Sequence, residues 1–128
     1  MSPEQLRFSP THEWVSVDGN IATIGISDFA VRLLTDIVFI SLPETGRVVK
    51  QSDSIGEIES VKAVNDIYSP VDGTIIETNT DLPDNLQWLS EDAYGKAWIA
   101  KIRVTNPEKP ESLMSHASYV AHCEHNSH

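Results

Sequence analysis

The stretch Glu57-Ile58-Glu59-Ser60-Val61-Lys62-Ala63-Val64-Asn65-Asp66-Ile67-Tyr68-Ser69-Pro70 reads as two short β segments meeting at Lys62-Ala63. Glu57 to Val61 leads in as one strand; Val64 to Tyr68 leads out as a second and stops at Ser69-Pro70. Lys62 therefore stands at or beside a hairpin tip. Most lysines are exposed and solvated, so position alone assigns this one no role.

On either side lie two similar pieces, Pro43-Glu44-Thr45-Gly46-Arg47-Val48 and Pro70-Val71-Asp72-Gly73-Thr74-Ile75. Both follow Pro-x-x-Gly-x-(Val or Ile), as two β units related by a rough twofold would. Pro and Gly also mark turns in any β protein, so the match is equally open to that plainer reading.

Further out, short apolar segments recur between Gly, Pro, Asp and Asn, the spacing of an all-β sandwich or barrel. Trp98, Ala100, Ile102 and Val104 alternate with Lys101 and Arg103, a half-buried strand. Ile37 to Leu42 is apolar on both faces apart from Ser41 and reads as a central strand ended by Pro43. Trp14 to Val17 and Asn20 to Ile26 form a hairpin around Asp18-Gly19, a pair that tolerates positive φ. Ser27 is placed to cap a short helix near 28–34, and a second helical turn is expected near 84–89. Leu113, Met114, Ala117, Val120 and Ala121 follow helical spacing and predict an amphipathic C-terminal helix over about 110–123. These elements imply one domain over 1–128, with a core over about 7–105 and a mobile tail over 124–128.

The chain has 128 residues and a net charge of -10 from 9 Lys plus Arg against 19 Asp plus Glu. An excess of acid without basic clusters argues against nucleic acid and anionic membranes as partners. Cys123 is the lone cysteine, which excludes an internal disulfide or a Cys-pair zinc site and fits a reducing compartment. The first twenty residues carry Glu4, Arg7, Glu13 and Asp18 with no apolar core, so neither a signal peptide nor an attached transit peptide is expected.

Glu59-Ser60-Val61-Lys62-Ala63 followed by Tyr68-Ser69-Pro70-Val71-Asp72-Gly73 resembles the lipoyl-lysine hairpin of glycine cleavage system H proteins. His12-Glu13-Trp14, Ala22-Thr23-Ile24-Gly25-Ile26, Asp36-Ile37-Val38-Phe39, Leu42-Pro43 and Trp98-Ile99-Ala100-Lys101-Ile102 extend the resemblance over roughly residues 7 to 120. Biotin carriers usually flank their modified lysine with methionines, which Val61 and Ala63 do not match.

The resemblance implies a barrel-sandwich hybrid of the lipoyl-domain type and a carrier, not a catalyst, with lipoate covalently on Lys62. Its implied partners are a pyridoxal-phosphate glycine decarboxylase (P protein), a folate-dependent aminomethyltransferase (T protein), a dihydrolipoyl dehydrogenase (L protein) and a lipoate-attaching enzyme. A group on a lysine stem at an exposed tip reaches several active sites at high effective concentration, while the cofactor carries the difficult chemistry. Resemblance also places Glu13 and Asp66 near the stowed arm, where carboxylates would pair with its positive charge and a groove would exclude water. Each is equally open to the reading of a solvated surface carboxylate. Glu59, three residues before Lys62, is expected to be read by the attaching enzyme. The implied location is the cytoplasm in a bacterium, or the mitochondrial matrix in a eukaryote after removal of a presequence.

The chain departs from the usual family pattern at Leu33, Thr35, Ala93 and Ala97, which points to an altered shelter groove with the fold intact. His122, Cys123, Glu124, His125 and His128 crowd the C-terminus, but a mobile terminus rarely holds the fixed geometry of a metal site. Trp14, Trp88 and Trp98 are expected as core anchors. No phosphate loop, zinc-enzyme motif or nucleophile elbow is present. Two other functions remain open from sequence: a lipoyl relay for other lipoate-dependent enzymes, and an unmodified acidic binding module.

Overall fold

The computed structural model describes residues 6–9, 11–34, 36–104 and 113–126. In chain order the elements are β1 (Arg7–Phe8), β2 (Glu13–Asp18), β3 (Ile21–Ile26), α1 (Asp28–Leu34), β4 (Ile37–Ser41), β5 (Val48–Val49) and β6 (Ser54–Ser60). They continue with β7 (Val64–Tyr68), β8 (Gly73–Thr78), a 3-10 turn (Leu82–Asp84), α2 (Trp88–Glu91), β9 (Ala100–Val104), β10 (Met114–Ser115) and α3 (His116–Asn126).

A seven-stranded sheet runs β10-β1-β2-β3-β9-β8-β5 and a three-stranded sheet runs β4-β6-β7. Ile24, Ile75 and Ile102 of the first sheet share one buried cluster with Ile40, Ile58 and Ile67 of the second. That shared core makes the pair of sheets a barrel-sandwich hybrid. Among the described residues no helix is long and apolar enough to cross a membrane.

The two Pro-x-x-Gly pieces bond to each other. Val48 pairs with Thr74 and Val49 with Gly73, while the Gly46 amide donates to the Ile75 carbonyl (2.7 Å) and the Ile75 amide to the Arg47 carbonyl (2.9 Å). This pairing sets the two pieces side by side, antiparallel, at one edge of the seven-stranded sheet. Their glycines serve different needs. Gly46 lies at φ +94°, whereas a Cβ on Gly73 would overlap the Arg103 carbonyl oxygen of the neighbouring strand. Gly73→Ala is therefore expected to lower stability by about 3 kcal/mol through forced separation of β8 from β9, and Gly46→Ala by only about 1 kcal/mol of backbone strain. Urea unfolding of both variants measures the difference.

Four elements differ from the sequence expectation. Ile37–Ser41 is an edge strand, not a central one: β6 lies between it and β7, a bulge interrupts its register, and Val38 (54%) and Phe39 (49%) stay exposed. The helical turn expected near 84–89 divides into the 3-10 turn at Leu82–Asp84 and α2 at Trp88–Glu91. Pro83 suits the first turn, and Asn85 leaves helical geometry at φ -139°. The C-terminal helix begins at His116 instead of 110, because Met114 and Ser115 pair with Phe8 and Arg7 and the Ser115 hydroxyl then caps the Ser118 amide (3.3 Å). Residues 105–112 lie outside the described residues, and the helix runs on through Asn126 where a mobile tail from 124 was expected.

The buried face of α3 also differs. Tyr119 and Cys123 pack against Phe8, Trp14 and Leu6, while Ala117, Val120 and Ala121 face outward. Trp14 is fully buried and its indole N–H donates to the Ala93 carbonyl (2.9 Å); Trp88 and Trp98 are only partly buried against their clusters.

Candidate functional site

The β6–β7 hairpin closes in a four-residue turn, Ser60 to Ala63. The Ser60 amide donates to the Ala63 carbonyl (2.8 Å), and the Ala63 amide donates to the Ser60 hydroxyl (3.2 Å). One further bond, from the Val61 amide to the Asp36 carbonyl (3.2 Å), ties the turn to the start of β4. Ser60 is buried at the root, and Val61 and Lys62 are exposed at the tip. A small buried hydroxyl thus holds the backbone while the lysine stem is left in solvent.

β7 descends from this tip into a groove of about 460 Å³. Ile26, Ala30, Leu33, Leu34 and Ile58 supply apolar walls, and Thr11, His12, Glu13, Asn65, Asp66 and Tyr68 supply polar groups. At about 3.3 Å of rise per residue, Asp66 is no more than about 13 Å from Lys62. Glu13 and Asp66, far apart in sequence, line the same groove. Among the described residues neither has a Lys or Arg partner; the ion pair present joins Arg32 to Asp28 at 3.6 Å on the surface.

Glu13 is 1% exposed. Its carboxylate accepts from the Ser9 hydroxyl (2.6 Å), the Thr11 hydroxyl and the Tyr68 amide (3.3 Å). Burial nevertheless pushes its pKa above the ordinary 4.5, and these three donors only partly offset that rise. Asp66 is exposed at the groove edge and accepts from the Tyr68 hydroxyl (3.3 Å). The nearby carboxylates raise the Tyr68 phenol's pKa, Asp66 most of all.

Glu59 lies outside this groove. It sits on β6 opposite Phe39 on one side and Val64 on the other, directly beneath the lysine turn. Of the four departures, Leu33 lines the groove. Ala93 and Ala97 do not line it: both are buried elsewhere, and the Ala93 carbonyl accepts the Trp14 indole N–H. Thr35 lies outside the described residues.

Sequence reasoning missed Ser9 and Thr11 as the donors that hold Glu13. Two hydroxyl residues within four positions of a carboxylate were the available signal, since such side chains bond locally. No group of three or more His, Cys, Asp or Glu among the described residues is placed to bind a metal; the side chains of 124–128 lie outside that set.

The glycine cleavage H-protein family model matches residues 6–126. A glycine cleavage system H protein of Acaryochloris marina is 45% identical over 122 residues, covering 95% of each chain, and one of Gloeothece citriformis is 52% identical over 106 residues, covering 83% of this chain and 81% of that one. The crystal structure of a glycine cleavage system H protein from Mycobacterium marinum superposes with a TM-score of 0.85 at 29% identity, covering 99% of this chain and all of the other. With the family model spanning residues 6–126 and relatives 45% and 52% identical over most of their length, on a barrel-sandwich hybrid matched nearly end to end by a solved member, this chain belongs to the glycine cleavage H-protein family.

Proposed function

We propose that Lys62 is the lysine that receives lipoate and that the groove holding Glu13 and Asp66 shelters the arm between visits to partner enzymes. As a family member the chain is a lipoate carrier of the glycine cleavage system. The observation that carries the residue assignment is an exposed lysine on a hydrogen-bonded turn whose second strand leads into an amphipathic groove. When attached, the lipoyl group supplies a dithiolane that accepts and releases the aminomethyl group. The chain's own residues then have three tasks. The Ser60 turn presents the stem, the Ile26, Leu34 and Ile58 walls exclude water, and Glu13 and Asp66 offer negative charge to a guest amine.

Nothing in this division of labour asks the chain to make or break bonds itself, so we assign it the role of a non-catalytic single-domain carrier. Its partners are the decarboxylase, the aminomethyltransferase, dihydrolipoyl dehydrogenase and a lipoate-attaching enzyme that reads Glu59. The compartment is then the one housing those enzymes, cytoplasm in a bacterium or mitochondrial matrix in a eukaryote. Peptide mapping of lipoylated protein tests the assignment: the adduct is expected on Lys62, and an adduct on Lys50, Lys96, Lys101 or Lys109 refutes it.

The net charge of -10 predicts steering toward basic surfaces on the larger partners. Because such attraction is screened beyond about 8 Å at physiological ionic strength, the apparent KM of a partner for this carrier should rise several-fold from low to physiological salt. Steady-state kinetics at fixed pH measures this, and a KM independent of salt contradicts it.

A further inference from the structure

Tyr119, on α3, lies far from the hairpin in sequence yet touches the groove wall. Its ring is buried and stacks on Phe8 with centroids 4.5 Å apart and planes 10° apart. Its hydroxyl is 2.5 Å from Ser27 Oγ and 2.7 Å from His12 Nδ1.

Counting protons fixes the direction of these bonds. Ser27 Oγ accepts the Ala30 amide (3.2 Å) and is fully buried, so its own proton needs an acceptor, and among the described residues Tyr119 Oη is the one in reach. Tyr119 thereby accepts from Ser27 and has its own proton to donate. The Cys123 thiol, one turn along α3, also bears on the hydroxyl, but imidazole nitrogen is the stronger acceptor. His12 Nδ1 then carries a lone pair, and the ring proton sits on Nε2.

Protonating His12 would put a second donor on Tyr119 Oη and turn the phenol proton away from the ring, toward the weaker Cys123 acceptor. The ring's position is equally constrained. His12 lies at φ +80°, its amide donates to the Ser9 carbonyl (3.0 Å), its carbonyl accepts the Ser27 amide (2.9 Å), and its ring packs on Phe29 of α1. The titratable groups around it are Glu13, the next residue and the first of β2, Asp66 and Tyr68 across the groove, and Tyr119 and His122 on α3. Burial, with His122 second, lowers its pKa from 6.5.

We propose that Tyr119 is a positioning residue that holds His12 neutral, so that the groove offers its carboxylates to a guest cation and not to an imidazolium of its own. This rests on the shelter reading given above. Without the Tyr119 donor, the ring one residue from Glu13 is freer to charge and to compete for the same negative groups.

The test is nitrogen-15 NMR of the histidine rings in the full, unlipoylated chain, with His12 assigned by its loss in His12→Gln. Wild type should show the Nε2–H tautomer at neutral pH and titrate below 6.5. Tyr119→Phe should mix the tautomers and raise proton affinity about tenfold, one unit in midpoint. A wild-type His12 that is protonated on Nδ1 at neutral pH, or a Tyr119→Phe titration identical to wild type, overturns the proposal. In loaded protein, amine release near pH 6 without transferase should rise several-fold in Tyr119→Phe. If the titration moves and release does not, the shelter reading fails while the coupling of Tyr119 to His12 stands.

Discussion

Lys62→Arg should abolish lipoylation and all carrier turnover while thermal unfolding shifts by no more than about 2 °C. The side chain is exposed on a turn whose hydrogen bonds run through Ser60 and Ala63, not through the lysine, and surface substitutions of this kind stay within about 0.5 kcal/mol. Arginine keeps the positive charge, so docking steered by charge is preserved. What is removed is the amine nucleophile that forms the amide. Mass spectrometry after co-expression with a lipoylating system, paired with a thermal melt, separates loss of attachment from loss of fold. A variant that is still lipoylated contradicts the assignment.

Glu13→Gln should separate stability from function. Burial raises the Glu13 pKa, so the folded state binds this proton more tightly than the unfolded chain does. Its contribution to stability is therefore fully present below the ordinary value of 4.5 and is lost as pH rises through the higher folded value. Once ionised, the buried carboxylate is the form that the fold disfavours, and glutamine, which retains an acceptor for Ser9, Thr11 or the Tyr68 amide, relieves this. The melting temperature should rise at pH 7 and change little at pH 4. Retention of a cationic arm should move the opposite way: losing one buried charged partner is worth about 2.7 kcal/mol, or about a hundredfold in the free-arm population while the bound arm predominates. Ammonia release from loaded protein without transferase reads this directly. Equal release from variant and wild type contradicts a role for Glu13 in shelter.

Much of the sheet architecture was legible because alternation and turn chemistry act locally. Ala100, Ile102 and Val104 face the core as their period predicts, Gly19 turns the first hairpin at φ +63°, and Ser27 caps α1 through the Ala30 amide. The edge position of β4 was not legible, since apolar residues on both faces look alike whether a strand is enclosed or left bare beside the lysine turn. The C-terminal helix misled for a related reason. Leu113 and Met114 continue the helical spacing by coincidence, while the buried Tyr119 and Cys123 face is fixed by contact with Phe8, a partner more than a hundred residues away.

The site divided along the same line. Lys62 was marked by its own neighbours, whereas the groove is tertiary, assembled from β2, β3, α1, β6 and β7. Resemblance brought Glu13 and Asp66 to attention, but the burial that raises Glu13's pKa and the hydroxyls that hold it exist only after β2 packs. Ala93 and Ala97 looked like groove residues only because departures from a pattern carry no depth information; packing sets the Ala93 carbonyl on the Trp14 indole N–H and Ala97 in the core.

Attachment at Lys62 is measured by the intact mass of this chain expressed with and without a lipoate-attaching enzyme and free lipoate, followed by fragmentation. A gain of one lipoyl group per chain is expected, located on Lys62 and absent in Lys62→Arg. A mass equal to the bare polypeptide under conditions that lipoylate a control H protein, or an adduct on any other lysine, contradicts it.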